Sequence, residues 1–134
     1  MTTILLVEDD EFVAESMSDI LSSAGGYTVL LATNGHLGLQ MLEATDVALV
    51  ITDIMMPAED GLGFLLKKRA IKPQVPTIAM SGGSLFMPDL DVLNMARLVG
   101  ADVGLAKPIE LGFLLDQVAR LIAVDVANPL PPIA

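Results

Sequence analysis

Cysteine is absent from the 134 residues, which excludes a disulfide framework and thiol-ligated zinc. Positive charge is scarce: 7 Lys and Arg stand against 17 Asp and Glu, for a formal net charge of −10. A direct nucleic-acid binder needs a clustered basic footprint to displace counterions from phosphates, so that class is excluded. The one basic cluster, Lys67, Lys68, Arg69 and Lys72, falls at the end of a helical stretch and reads as a solvated face. Long apolar runs are missing too. None reaches the ~20 residues that span a bilayer, although mean hydropathy is +0.65. The opening residues Met1 to Val7 lack a basic stretch and run straight into acids, so no signal peptide is expected. A core-rich, cytoplasmic chain is the expectation. Histidine occurs once, as His36 at the start of a short helical segment, and reads as a surface residue.

What is present is alternation. The length suits one ordinary domain, large enough to bury roughly two-thirds of its unfolded surface. Ile4 to Val7 is a short branched run ending in Glu8-Asp9-Asp10-Glu11. Val13, Met17, Ile20, Leu21 and Ala24 then repeat as one face of a helix, which Gly25-Gly26 stops. Tyr27 to Leu31 reads as a second strand, and Asn34-Gly35 opens a helix carrying Leu37, Met41 and Leu42. Val47 to Thr52 is apolar almost throughout, as in a strand covered on both faces, and it ends on Asp53. Met55-Met56-Pro57 and Asp60-Gly61 make a turn-rich loop before a helix over about 62–70. Thr77 to Met80 is the fourth strand and Val103 to Ala106 the fifth, with a helix over about 90–98 between them. The last helix carries Leu111, Leu114, Leu115, Val118, Leu121 and Ile122 on one stripe. One domain over 1–124 is expected, with a proline-containing tail or linker start over 125–134.

Five strand–helix units in strict alternation predict an α/β fold, a doubly wound five-stranded parallel sheet flanked by five helices. In such sheets ligands bind beyond the carboxyl ends of the strands. Glu8 and Asp9 follow the first strand, Asp53 the third, Ser81 the fourth and Lys107 the fifth. Asp10 is equally well read as a helix cap. Carboxylates gathered from separate strands repel one another, and so raise a pKa or demand a cation. A hard ion such as Mg²⁺, which takes oxygen ligands, is the natural partner. Lys107 and the Ser81 hydroxyl would complete an electrostatic clamp for a transferring phosphoryl group, with Asp53 as nucleophile.

Four segments carry a resemblance: Leu5-Leu6-Val7-Glu8-Asp9-Asp10, Thr52-Asp53-Ile54-Met55-Met56-Pro57-Ala58-Glu59-Asp60-Gly61, Ala79-Met80-Ser81, and Gly100-Ala101-Asp102 with Lys107-Pro108. Together, in this order, over about residues 2–123, they resemble the signatures of response-regulator receiver domains of the CheY-like kind. The resemblance implies the flavodoxin-like strand order 2-1-3-4-5. It implies phosphorylation on Asp53 with Mg²⁺ or Mn²⁺, ligated by Asp9, Asp53 and the Met55 backbone carbonyl, with Glu8 acting through a water. It makes Ser81 the switch hydroxyl and Lys107 the phosphoryl-pairing lysine, and it implies a cis bond before Pro108. Partners would be a histidine kinase or histidine phosphotransfer protein, and a downstream protein on the face of the fourth helix, fifth strand and fifth helix. Met87, Leu90, Val92, Met95 and Phe113 are candidates for that face.

One position departs from the family. Gly104 stands where receivers commonly carry Tyr or Phe, so either another side chain reports the switch or the fourth strand and helix carry it alone. A binding module using the fold without phosphorylation is disfavoured by the intact Glu8, Asp9, Asp53, Ser81 and Lys107 set. An aspartyl phosphatase would need a second Asp two residues after Asp53, where Met55 stands. No turnover of an external substrate is expected.

Overall fold

The computed structural model describes residues 2–54, 61–82 and 89–123, with the backbone alone at 62 and 89–92. The expected loop over 55–60, Met87 and the expected tail 125–134 lie outside the described residues. Five strands, β1 (Thr3–Val7), β2 (Thr28–Ala32), β3 (Leu49–Asp53), β4 (Thr77–Ser81) and β5 (Val103–Ala106), alternate with five helices. The helices are α1 (Glu11–Ser23), α2 (Gly35–Ala44), α3 (Gly61–Ile71), α4 (Asp89–Leu98) and α5 (Leu111–Ile122). All four strand pairings are parallel. The order is β2-β1-β3-β4-β5, as the resemblance implied.

Side chains alternate across a strand with period two, and the core divides accordingly. Ile4, Leu6, Leu49, Ile51, Ile78 and Met80 pack with Met17 and Leu21 of α1 and Leu114, Val118 and Leu121 of α5. Leu5, Val7, Val50 and Ala79 face the other way, onto Leu42 of α2, Phe64 and Leu65 of α3 and Ala96 of α4. Both faces of β1, β3 and β4 are thus covered, which is why their sequences read as unbroken apolar runs.

The helix ends follow local chemistry. The Asp10 carboxylate caps α1, accepting from the amides of Phe12 at 2.9 Å and Val13 at 3.2 Å. Beyond α1 the chain turns through Gly26 at φ 73°, a region that disfavours any residue with a Cβ. Asn34 caps α2 through the Leu37 amide at 2.9 Å, and Glu110 caps α5 through Gly112 and Phe113.

The basic cluster needs correcting. Lys67 and Arg69 are exposed, but Lys68 is buried, and its ammonium donates to the Val75 carbonyl. Burial pushes the Lys68 pKa down, and the nearby Asp102 charge partly opposes that. The side chain ties the last turn of α3 to the chain entering β4, a role that helical spacing alone does not reveal.

Gly61 starts α3 against the exit of β3. A Cβ there would fall within contact distance of the Ile54 Cα and 2.5 Å from the Asp53 carbonyl oxygen. Backbone on both sides leaves no flexible group to yield. Gly61→Ala is therefore expected to destabilise the protein by about 1–3 kcal/mol, read as a lower urea midpoint. An unchanged midpoint would show that α3 does not press on the exit of β3.

Candidate phosphoacceptor site

The site forms because the rows of side chains on one face of the sheet continue past its carboxyl edge. Glu8 lies two residues beyond Leu6, Asp53 two beyond Ile51, and Lys107 two beyond Leu105, all in the core layer facing α1 and α5. Each is held where the backbone is still pinned. The Glu8 amide donates to the Ala32 carbonyl at 2.9 Å and the Lys107 amide to the Ser81 carbonyl at 2.8 Å. Asp53 is the last residue of β3, and the next amide, of Ile54, donates to Met80 at 3.0 Å.

At that edge the Lys107 ammonium reaches two carboxylates at once, Glu8 Oε1 at 2.6 Å and Asp53 Oδ2 at 2.8 Å. Glu8 and Asp53 are 2% and 4% exposed, so these pairs are shielded from solvent screening. Glu8 also accepts from the Asp10 amide at 3.2 Å. Burial pushes Glu8 up to about 7, with the Asp53 charge in the same direction and Lys107 and the Asp10 amide opposing. For Lys107, burial acts downward, but the hydrogen bonds and charges of Asp53 and Glu8 outweigh it and hold the ammonium above its usual range.

Asp9 completes the acidic group from the exposed side. One carboxylate oxygen from each of Glu8, Asp9 and Asp53 lies within 4.8 Å of the others. An all-oxygen, carboxylate-rich set of this kind suits a hard divalent cation. The exposed position of Asp9 leaves that side of the cluster open to solvent.

Of the residues singled out from sequence, Glu8, Asp9, Asp53 and Lys107 are brought together. Ser81, fully buried, ends the neighbouring strand, next to Met80, which pairs with Asp53. Met55 lies outside the described residues. The Lys107–Pro108 bond is cis. His36 is exposed, as expected. Phe113 and Met95 are exposed too, at 47% and 46%, while nothing is described of Met87 or of the side chains of Leu90 and Val92.

Two features escaped the sequence reading. An apolar groove of about 470 Å³ abuts Lys107, lined by Phe12, Val13, Met17, Pro108, Ile109 and Leu111. Phe12 on its rim is 79% exposed. A Phe two residues after a cap, off the buried stripe, was the available signal. The second feature is at Gly104, where Leu93 of α4 packs straight onto the strand. A Cβ at Gly104 would lie 3.1 Å from Leu93 Cδ2. The space that an aromatic ring would need is held from the opposite element.

Comparisons with known proteins agree with this geometry. The sequence profile of the response regulator receiver domain matches residues 4–119. The chain is 31% identical over 127 residues to the DNA-binding transcriptional regulator NtrC of Rhizobium meliloti, covering 95% of this chain and 25% of that protein. It is 35% identical to protein-glutamate methylesterase/protein-glutamine glutaminase 3 of Rhodospirillum rubrum, covering 81% of this chain and 28% of that one. The chain thus spans about a quarter of the length of these curated relatives. Among solved structures, a CheY-like receiver domain protein from Methanospirillum hungatei superposes with a TM-score of 0.83 at 27% identity, over 91% of this chain and 94% of that one. A putative response regulator from Chloroflexus aurantiacus gives 0.81 at 28% identity, over 91% and 98%. Strand order, acid–lysine cluster and profile converge, and the chain belongs to the response regulator receiver domain family of two-component signalling.

Proposed function

We propose that this chain is a phosphoacceptor switch, phosphorylated on Asp53 with a divalent cation, Mg²⁺ or Mn²⁺, and acting through protein–protein contacts in the cytoplasm. The observation that carries the reading is the double ion pair of Lys107 with Glu8 and Asp53, with Asp9 alongside. It gathers three carboxylates and an ammonium at the carboxyl edge of the sheet, where Asp53 would serve as nucleophile and the acids as oxygen ligands.

In this reading an Asp53 carboxylate oxygen attacks the phosphorus of a phosphohistidine donor. A P–O bond forms, the P–N bond breaks, and the imidazole keeps the electron pair. Lys107 would then face a phosphoryl oxygen with the charge it now gives to Glu8, and the family resemblance assigns another oxygen to the Ser81 hydroxyl. Asp9, Asp53 and the Met55 carbonyl would hold the cation, with Glu8 reached through water. When bound, the cation neutralises the crowded acids and draws charge from the phosphoryl oxygens. A histidine kinase or histidine phosphotransfer protein is the expected donor, and it would rest on the apolar groove that abuts Lys107. Phosphorylation would shift populations between conformers already sampled, with output through the α4–β5–α5 face. No external substrate would be turned over.

Incubation with acetyl phosphate and Mg²⁺ is expected to add the mass of one phosphoryl group, and Asp53→Asn to abolish that gain. A variant that gains it as readily would remove Asp53 from the role.

Cation affinity should also depend on pH. Protons compete for Glu8, so the apparent Mg²⁺ affinity is expected to fall about tenfold between about pH 8 and about pH 6. The loss should centre on the raised Glu8 pKa of about 7. Titrations by calorimetry showing flat affinity over that range would rule out Glu8 as part of the cation's environment.

A further inference from the structure

We infer that the open edge of β5 is a strand-addition site for an extended acidic segment of a partner protein. The inference rests on the reading that output passes through the α4–β5–α5 face, and it supplies the mode of binding and the chemistry of the partner.

Among the described residues, β5 ends the sheet order and pairs with β4 alone. An edge strand presents backbone donors and acceptors that another chain can pair with, and β-augmentation is a common way to recognise a peptide. A cavity of about 460 Å³ runs along this edge between α4 and α5, lined by Arg97, Val103, Gly104, Phe113, Gln117 and Arg120 among others. Gly104 brings no side chain to its wall, and the space over it on the α4 side is closed by Leu93 at 3.1 Å.

Charge selects the occupant. The chain has only 7 Lys and Arg against a net charge of −10, yet two of its arginines flank this groove. Arg97 lies in the last turn of α4 and Arg120 in the last turn of α5. Both helices return antiparallel to the strands, so both arginines line the cavity at the end where β5 starts. Asp102 lies at the same end, but its Oδ2 accepts from the Thr77 amide at 2.8 Å. Phe113, in the first turn of α5, offers an apolar contact towards the other end. The opposite edge of the sheet contrasts with this. The cavity beside β2 is lined by Glu8, Glu11 and Glu15. An acidic strand is repelled there and attracted at β5.

The test uses the full ¹⁵N-labelled chain and the synthetic peptide acetyl-Asp-Glu-Val-Thr-Val-Leu-amide. Two forms N-methylated at alternate amides, one for each register, and a form with Lys-Lys in place of Asp-Glu complete the set. Saturable binding below about 1 mM is expected, with shifted amides and slowed hydrogen exchange over 103–106. Affinity should fall about tenfold on N-methylation in the pairing register, on acid-to-lysine exchange, and in the chain carrying R97E and R120E together. Methylated peptides that bind as tightly as the parent, with β5 exchange unchanged, would overturn strand addition and leave the output face standing. Shifts confined to other faces would overturn both. Absence of saturable binding would also overturn strand addition, as would a peptide-free chain that sediments as a dimer protected along β5.

Discussion

Two carboxylates nearly withdrawn from water share a single ammonium at the carboxyl edge of the sheet, and the rest of the molecule is arranged around that contact. Lys107 meets Glu8 at 2.6 Å and Asp53 at 2.8 Å, joining the ends of β1, β3 and β5. A third acid, Asp9, stands close enough to share an ion with the first two. The positive charge therefore balances the buried acids only in part. Burial, with the Asp53 charge adding to it, pushes the Glu8 pKa up to about 7, and a divalent cation among the acids would oppose both effects. A phosphoryl group arriving on Asp53 would also find its counter-charge already in place. Such preorganisation costs no rearrangement at the moment of transfer.

The fold makes that contact possible through rigidity. β1, β3 and β4 are buried on both faces, and the two core layers pin them from opposite sides. Period-two alternation then carries the apolar rows of one layer directly into Glu8, Asp53 and Lys107. Ser81 belongs to the other set: it follows Ala79 by two residues on the face that packs against α4. Gly104 pairs with Ala79 and receives Leu93 of α4. The hydroxyl end of β4 is thus linked to α4 through small residues and one leucine. In the proposed switch, this packing would couple the end of β4 to α4 in a chain that lacks an aromatic residue at 104.

Much of this was legible in the sequence because it depends on local pattern. Unbroken apolar runs gave β1, β3 and β4, and their acidic or hydroxyl ends marked the functional edge. Asp10 and Asn34 were readable as helix starts, since a short acceptor before an amphipathic run has few other uses. Strand limits moved by one or two residues: β3 begins at Leu49 instead of Val47, because Val47 packs into the α2–α3 layer without joining the ladder. What escaped depends on contacts between distant segments. Lys68 looks like its exposed neighbours until Val75 is seen beneath it. Leu93 gives no hint that it covers Gly104, 11 positions away in number but in direct contact in space. The groove by Phe12 needs Pro108 and Ile109 from the far end of the chain.

Glu8, buried beside Asp53, holds the charge imbalance of the site, and ¹³C NMR of its side-chain carboxyl as a function of pH reads that imbalance directly. Without divalent cations, Glu8 should titrate at about 7, and saturating Mg²⁺ should move its midpoint downward as the cation replaces the proton. A midpoint at the ordinary glutamate value of 4.5, unmoved by Mg²⁺, would contradict the account.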